Sequence, residues 1–400
     1  MKIGIHQETS APGIGGSEFV VAVLAHYLRQ EHEIEIILHR SHLAAHDFAN
    51  FFQINLDGVK SRYVPQSENK WIHPGDRWWR LCSDQAQRSA RLSDGYDLFI
   101  TVTHSVPPFC CAPHGVLYVL FPFFNRMDNW PWNQPTPPGL GGIADRFRRR
   151  IYERAWQSRF ASYDHLLAIS QFAADWTARY WGSSCKVLSP PVAFGFAEAE
   201  KANQIVVVGR ISPGKKQREL VGTFRTAYDR FLQGWSMSCL GGLSNDVRDQ
   251  EYFEEVGKSA GTAPVRIIPN APRSILSSEL QQSKIFWHGM GLGEDENRNP
   301  SRLEHFGIAT VEAMAVGCVP VVIGRGGQRE IVEDGVSGFL CNNLEEMVEK
   351  TVLLSQDDAL RDRMAEAAIR RAREFSMDRF FARFQEITHP LLVSDKVCKA

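Results

Sequence analysis

Glu304 and Glu312 stand on either side of Gly307 in the stretch Glu304-His-Phe-Gly-Ile-Ala-Thr-Val-Glu312. Carboxylates accept hydrogen bonds from hydroxyl groups, and a glycine between them allows a tight turn and a close backbone approach. A helix predicted to begin near Ala309 or Thr310 aims its unpaired N–H groups and positive dipole end back at that turn, where an anion binds. The set suits a ligand with hydroxyls at both ends and negative charge between them. Eight helical steps would separate the carboxylates by about 12 Å, although Glu304 precedes the helix. A solvated pair of glutamates is the alternative. The Phe306-Gly307 pair, the run Ala313 to Gly317 and the apolar segment Cys318 to Ile323 favour a built site.

A second group carries the opposite charge. The apolar run Ile205 to Val208 is followed by Gly209-Arg210-Ile211-Ser212-Pro213-Gly214-Lys215-Lys216 and then a helix from Arg218. Arginine offers a planar fork and lysine a point charge, so one such turn can neutralise a diphosphate. The spacing is not that of a Walker A loop, and surface-loop cations are the alternative. The turn Pro269-Asn270 ends another strand and offers groups to a base. In the first half, the strand Lys2 to Gln7 leads to a loop with Pro12, Gly13, Gly15 and Gly16. A helix Ser17 to Arg29 follows, with Ser17 as N-cap. The loop is not G-x-G-x-x-G, and its glycines also fit plain turn roles. His104 closes the strand Leu98 to Thr103, on the side where doubly wound sheets bind ligands. It reads either as an acceptor-side residue or as a satisfied structural histidine.

These residues need a doubly wound α/β frame. Strands are expected at Ile34 to Leu38, Val116 to Phe121, His165 to Ser170, Ser236 to Leu240, Val265 to Ile268 and Lys284 to Trp287, and Val187 to Val192 closes the first half. Helices are expected at Ile143 to Phe160 and Phe172 to Tyr180, as two over Leu344 to Arg373, and at Met377 to Thr388. Residues 40–95 give no clear pattern. Their Trp71, Trp78 and Trp79, with His73, Arg77 and Arg80, fit packing under a loop or a stacking platform. Pro122 to Gly142 is a long aromatic and proline-rich loop, suited to an acceptor or a membrane surface. Arg146, Arg148, Arg149, Arg150 and Arg154 stud the helix after it, as a solvated face or an anionic-membrane contact. Two prolines and the polar stretch Glu198 to Gln204 read as a linker. The expected division is 1–195, 200–375 and a C-terminal helix, 376–400, packing back towards the first domain.

Composition narrows the class. A chain of 400 residues, 44% hydrophobic and 23% charged, favours two domains of a globular enzyme. A formal net charge of −1 argues against a dedicated nucleic-acid binder. The 8 cysteines form no C-x-x-C pair and no zinc spacing, which points to a reducing compartment rather than a disulfide framework. The N-terminus is already strand-like, and no apolar run reaches membrane-spanning length.

Four stretches together resemble the retaining GT-B glycosyltransferases of glycosyltransferase family four, which includes sucrose-phosphate synthases and bacterial mannosyl- and glucosyltransferases. They are Gly15-Gly16-Ser17-Glu18; Gly209-Arg210 with Lys215; Glu304-His305-Phe306-Gly307 with Glu312; and Gly326-Gly327 with Glu330-Ile331-Val332 and Asp334-Gly335. The resemblance is close in the second half and loose in the first. It implies two Rossmann-like domains, an acceptor-binding one and a donor-binding one, facing a cleft. It implies that Arg210 and Lys215 hold the diphosphate and Glu304 the transferred sugar. Backbone N–H groups around Phe306, Gly307 and Ile308 would bind sugar and phosphate, Glu312 the ribose, and Gly15 and Gly16 would approach the phosphate. The implied reaction moves a hexose from a UDP-glucose-type or GDP-mannose donor to a glycan or lipid-linked acceptor in polysaccharide biosynthesis. It needs no metal, no cofactor and no nucleic acid. The expected setting is cytoplasmic, with peripheral membrane contact. A nucleotide-sugar epimerase, or a non-catalytic glycan-binding or assembly protein on the same fold, is the alternative. One departure stands out. Several relatives place a histidine where this chain has Leu120, in Tyr118-Val119-Leu120-Phe121-Pro122; His104 or His114 is the candidate replacement, or the acceptor is held differently.

Overall fold

In the computed structural model, residues 1–8, 14–65, 88–123, 140–192 and 199–393 are described. Pro12, Gly13, the Trp71–Trp79 group and most of the 122–142 loop lie outside them. Two compact units divide the chain: Met1–Ser189 with Phe380–Ala400, and Pro190–Arg379.

The first unit runs β1 (Lys2–Glu8), α1 (Gly16–Leu28), β2 (Glu33–Leu38), α2 (Ala45–Phe52), β3 (Lys60–Tyr63), β4 (Leu98–Thr103) and β5 (His114–Val119). It continues with α3 (Leu140–Ala161), β6 (His165–Ala168), α4 (Gln171–Trp181) and β7 (Lys186–Val187). Its sheet is parallel, in the order β3-β2-β1-β4-β5-β6-β7. The inner strands are buried over most of their length, as in a parallel sheet enclosed on both faces. All six residues of β4 are buried.

The second unit restarts the pattern with β8 (Ala202–Val208), α5 (Gln217–Arg230), β9 (Ser236–Gly241), α6 (Val247–Ala260), β10 (Val265–Pro269), α7 (Arg273–Gln282) and β11 (Ser283–His288). Then come α8 (Ile308–Ala315), β12 (Val319–Ile323), α9 (Gln328–Ile331), β13 (Phe339–Cys341), α10 (Leu344–Gln356) and α11 (Asp358–Ala372). Its parallel sheet has the order β10-β9-β8-β11-β12-β13. Ile205, Val207, Phe224, Met237, Ile285, Trp287, Val321 and Met347 share one core. The last helix, α12 (Met377–Val393), passes from the second unit into the first at Phe380.

Several expectations change. The first half's last strand stops at Val187, ahead of Pro190 and Pro191, which cannot donate to a ladder. The expected linker ends in β8, since its Ala202 already pairs with Ser283. Gly15, not Ser17, is the N-cap of α1. Glu18, three residues on, accepts the Gly15 N–H at 3.0 Å and supplies the carboxylate half of a capping box.

Candidate active site

In each sheet the strand order reverses once, between β1 and β4 in the first unit and between β8 and β11 in the second. A doubly wound sheet opens a crevice at that point, beyond the carboxyl ends of the strands. In the second unit, the turn after β8 carries Arg210 and Lys215, and the loop after β11 carries Glu304. Both therefore belong to the switch point.

Buried packing shapes the cationic turn. A Cβ on Gly241, at the end of β9, would lie 1.8 Å from the Gly209 carbonyl oxygen, so the two strand ends cross backbone to backbone. Gln217, fully buried in the first turn of α5, donates to the Arg210 carbonyl at 2.7 Å. The Lys215 stem lies over Gly209. Its ammonium donates to Glu304 Oε2 at 2.6 Å, and His288 Nε2 lies 2.9 Å from the same oxygen. Burial alone would raise the Glu304 carboxyl. The Lys215 charge and the His288 hydrogen bond outweigh it and hold the group well below the ordinary carboxylate range. Burial lowers the His288 imidazole, partly opposed by Glu304. Arg210 is exposed, and among the described residues its guanidinium has no ion pair.

Gly307 is the N-cap of α8 and sits at φ 118°, a conformation that glycine alone takes readily. The amides of Ile308 and Ala309 begin the helix with no intrahelical acceptor before them. The Gly326-Gly327 turn is built around this loop: a Cβ on Gly327 would lie 2.6 Å from the His305 carbonyl oxygen, and the Gly327 N–H donates to the Glu304 carbonyl at 2.7 Å. Phe306 is buried against Phe375, with ring centroids 5.4 Å apart, so only its backbone faces the turn. Glu312, also buried, accepts from Arg273 at 2.8 Å. Asn270, at φ 52°, donates its N–H to the Gly241 carbonyl and accepts the Leu243 N–H on Oδ1, so it braces the ends of β9 and β10.

Arg273, His288 and Gln328 escaped the sequence reading. His288 had a usable signal, because it ends the apolar strand Ile285-Phe-Trp-His288 as His104 ends β4. Arg273 opens a helix of mixed polarity and had none.

In the first unit, the switch point holds Gly15, Gly16 and His104. Glu18 is buried, accepts from Ser17 at 2.8 Å and pairs with Arg40 at 2.8 Å. Burial pushes His104 down to about 4, partly opposed by the Glu18 charge. His114 begins β5, at the end of the sheet away from this crevice, beside Asp164 at 3.5 Å. It therefore cannot stand in for a residue at Leu120. Leu120 itself is buried just beyond β5 and donates its N–H to the Thr103 carbonyl.

With this geometry in hand, residues 192–371 match the model of Glycosyl transferases group 1, a span inside the second unit. A D-inositol 3-phosphate glycosyltransferase of Streptosporangium roseum is 29% identical over 198 residues, covering 47% of this chain and 42% of that protein. A sucrose synthase of Melioribacter roseus is 34% identical over 204 residues, covering 46% of this chain and 24% of that protein. The chain thus spans less than half the length of these curated relatives. Among solved structures, Anabaena HepE in complex with UDP aligns at TM-score 0.68 and 15% identity, over 98% of this chain and 100% of that one. The sucrose-phosphate synthase of Thermosynechococcus elongatus aligns at 0.67 and 11%, over 98% and 100%. The chain has the GT-B fold of these proteins, and within its second unit residues 192–371 are similar to the group 1 glycosyltransferases.

Proposed function

We propose that this chain transfers a hexose from a nucleoside-diphosphate sugar to a glycan or glycolipid acceptor, with retention of anomeric configuration. The observation that carries this reading is the convergence of Lys215 and His288 on Glu304 beside the Gly307 helix mouth, with Arg210 on the same turn as Lys215. A diphosphate entering beside Gly307 meets the α8 amides, Arg210 and Lys215. Lys215 then exchanges its carboxylate partner for phosphate, and Glu304 turns to the sugar hydroxyls. As the bond to the sugar breaks, charge grows on the leaving diphosphate, where these fixed cations and dipoles stabilise it. The acceptor attacks from the leaving-group face, assisted by a phosphate oxygen. Because Arg210, Lys215 and the helix mouth supply the positive charge, the proposed reaction uses no metal.

Glu312, paired with Arg273 in the resting chain, would take the ribose hydroxyls. Asn270, at the end of β10, would border the base. Gly15 and Gly16 would approach the phosphate, and His104 would serve the acceptor from the first unit. UDP is the first nucleotide to test, since the HepE structures hold UDP and UDP-glucose. GDP-mannose is the second donor class.

Calorimetry with UDP, GDP and ADP identifies the base, and incubation of the matching sugar donors with glycan acceptors, followed by NMR of the product anomer, tests transfer. Glu304→Ala should abolish transfer and leave nucleotide affinity within about threefold. Transfer that survives this substitution would refute the site. A glycosyl adduct trapped on Glu304 would replace the same-face route with a covalent one. Donor isomerised without acceptor would identify an epimerase. Tight nucleotide binding without hydrolysis or transfer would identify a binding protein.

Membrane contact is a second part of the proposal. Arg146, Arg150 and Arg154 recur every fourth residue on the exposed side of α3, next to Phe147, which is 65% exposed. Like charges at that spacing weaken a helix in water by roughly 0.2–0.5 kcal/mol per pair, and an anionic lipid surface relieves the repulsion. Among the described residues no helix is long and apolar enough to cross a membrane. Co-sedimentation with phosphatidylglycerol vesicles, but not phosphatidylcholine vesicles, should fall away in an Arg146→Glu, Arg150→Glu variant.

A further inference from the structure

Glu304 Oε2 is shared by two donors of different kinds. Lys215 sits on a turn and is 26% exposed on its side chain, while the His288 side chain is 5% exposed at the end of a central strand. The proposed reaction asks Lys215 to leave for phosphate. A carboxylate whose only partner departs would follow it or take up a proton, since burial favours the neutral acid. His288 is the donor that stays.

Which ring nitrogen carries the proton follows from its other neighbour. His288 Nδ1 faces Gln328 Nε2 at 3.5 Å, and the same amide nitrogen donates to Thr310 Oγ1 at 2.9 Å. The amide NH2 has two hydrogens, and Thr310 Oγ1 and His288 Nδ1 are the two acceptors it meets. With the amide turned this way, which leaves Gln328 Oε1 buried without a hydrogen-bond partner among the described residues, Nδ1 is a lone pair and the single imidazole proton lies on Nε2, aimed at Glu304. Gln328 and Thr310 are fully buried. The Gln328 amide fits because residue 307 has no side chain: a Cβ there would lie 2.9 Å from Gln328 Nε2. Gly307 therefore makes room on its inner side as well as towards a ligand. Turning the amide by half would set Oε1 against Nδ1 and force a proton onto that nitrogen, so the glutamine's orientation and the histidine's proton are one choice.

We infer that His288, its proton fixed on Nε2 by Gln328 and Thr310, is a positioning residue that keeps Glu304 oriented when Lys215 is drawn to a donor phosphate. The function of Glu304 rests on the reading above, but the anchoring is a property of the ligand-free chain. The charged groups facing the imidazole are Glu304 and Lys215.

Two measurements on ligand-free, full-length protein test it. Nitrogen-15 NMR of labelled histidines, with His288 assigned by its loss in His288→Gln, should show a bare Nδ1 and a protonated Nε2 at neutral pH. A proton on Nδ1, as the other tautomer or as imidazolium, overturns the inference. Carbon-13 titration of the Glu304 carboxyl should move up by about one pH unit in His288→Leu. In His288→Gln it should return most of the way, because that amide can place an N–H where Nε2 stands. The gap should widen when UDP is added. A Glu304 titration unchanged in His288→Leu, or a glutamine variant that rescues nothing, also overturns it. With an active donor–acceptor pair, His288→Leu should cost at least about tenfold in kcat with little change in donor KM. Absence of any transfer in the wild-type chain refutes the proposed reaction, whereas the two NMR readouts judge the anchor by themselves.

Discussion

Glu304 and His6 are both buried and ionisable, and their neighbours push them in ways that separate on the pH axis. His6 is fully buried, with Nε2 2.8 Å from His39 Nε2 and Nδ1 2.6 Å from Thr101 Oγ1. His39 Nδ1 lies 2.8 Å from the Val64 carbonyl, which can only accept. A proton on His39 Nδ1 leaves its Nε2 as acceptor, so His6 donates from Nε2 and accepts from the Thr101 hydroxyl. Every link is satisfied with His6 neutral. Burial, and then charge on His39, Arg88 and Arg62, lower its pKa well below 6.5. The folded chain therefore binds fewer protons than the unfolded chain below that value. Stability from this group is fully present above 6.5 and is lost as pH falls, by at most about 1.4 kcal/mol per pH unit. Glu304 also withdraws stability in acid, but its loss begins lower, as pH falls through the ordinary carboxylate range where the unfolded chain takes up the proton, and is complete only below its depressed folded pKa. Urea denaturation of the first unit between neutral and mildly acidic pH should show the slope, and His6→Leu should flatten it. Matching slopes in the two proteins would mean that another group titrates.

At the residue scale, the sequence disclosed the acids and cations of the candidate site but not what holds them. Glu304, Lys215 and Arg210 are visible because charge beside glycine is unusual in an apolar setting. Gln328 is one more polar residue after a turn, and its meaning depends on a contact with His288, 40 residues earlier. Arg273 reaches Glu312 across 39 residues. Such pairs are set by strand order, which no local pattern encodes.

Elements divide by how much they bury. β4, β8, β11 and β12 each centre on a buried, mainly apolar run, and each was legible as a strand within a residue or two at its ends, apart from β8, which starts three residues earlier. β3 reads Lys-Ser-Arg-Tyr on an exposed sheet edge, and β13 has only three residues, so neither gives a period to detect. Glycines at strand ends behave like neither class, since their role is the approach of another backbone. Gly241 and Gly242 are adjacent and indistinguishable by composition. A Cβ on Gly241 meets Gly209 carbonyl atoms at 1.8 and 2.6 Å, and a Cβ on Gly242 meets nothing within 4 Å. Gly241→Ala should therefore destabilise the second unit by about 3 kcal/mol and weaken nucleotide binding by displacing the Gly209–Arg210 turn. Gly242→Ala should do neither. Denaturant midpoints and UDP calorimetry on the pair check this, and equal effects would show that the crossing of β8 and β9 does not shape the turn.

At the scale of the molecule, each unit has its own core, and the first is completed by chain that follows the second. Phe380, Phe384, Ile387 and Leu391 of α12 are buried, Phe381 stacks on Tyr27 of α1 with centroids 4.4 Å apart, and Phe380 meets Tyr118 of β5 edge to face. The 3.6-residue spacing of these apolar positions made the helix legible, whereas its partners were not, because they lie more than 200 residues earlier in the sequence. Truncating Phe384, 1% exposed, removes packing from the first unit alone. Phe384→Ala should cost about 3–5 kcal/mol there. Hydrogen exchange should then quicken across β1, β4 and β5 while β8, β11 and β12 keep their protection, and UDP affinity should stay near the wild-type value. Uniform loss of protection over both sheets would mean that the two cores unfold as one, and that the donor site depends on the last helix through more than its own unit.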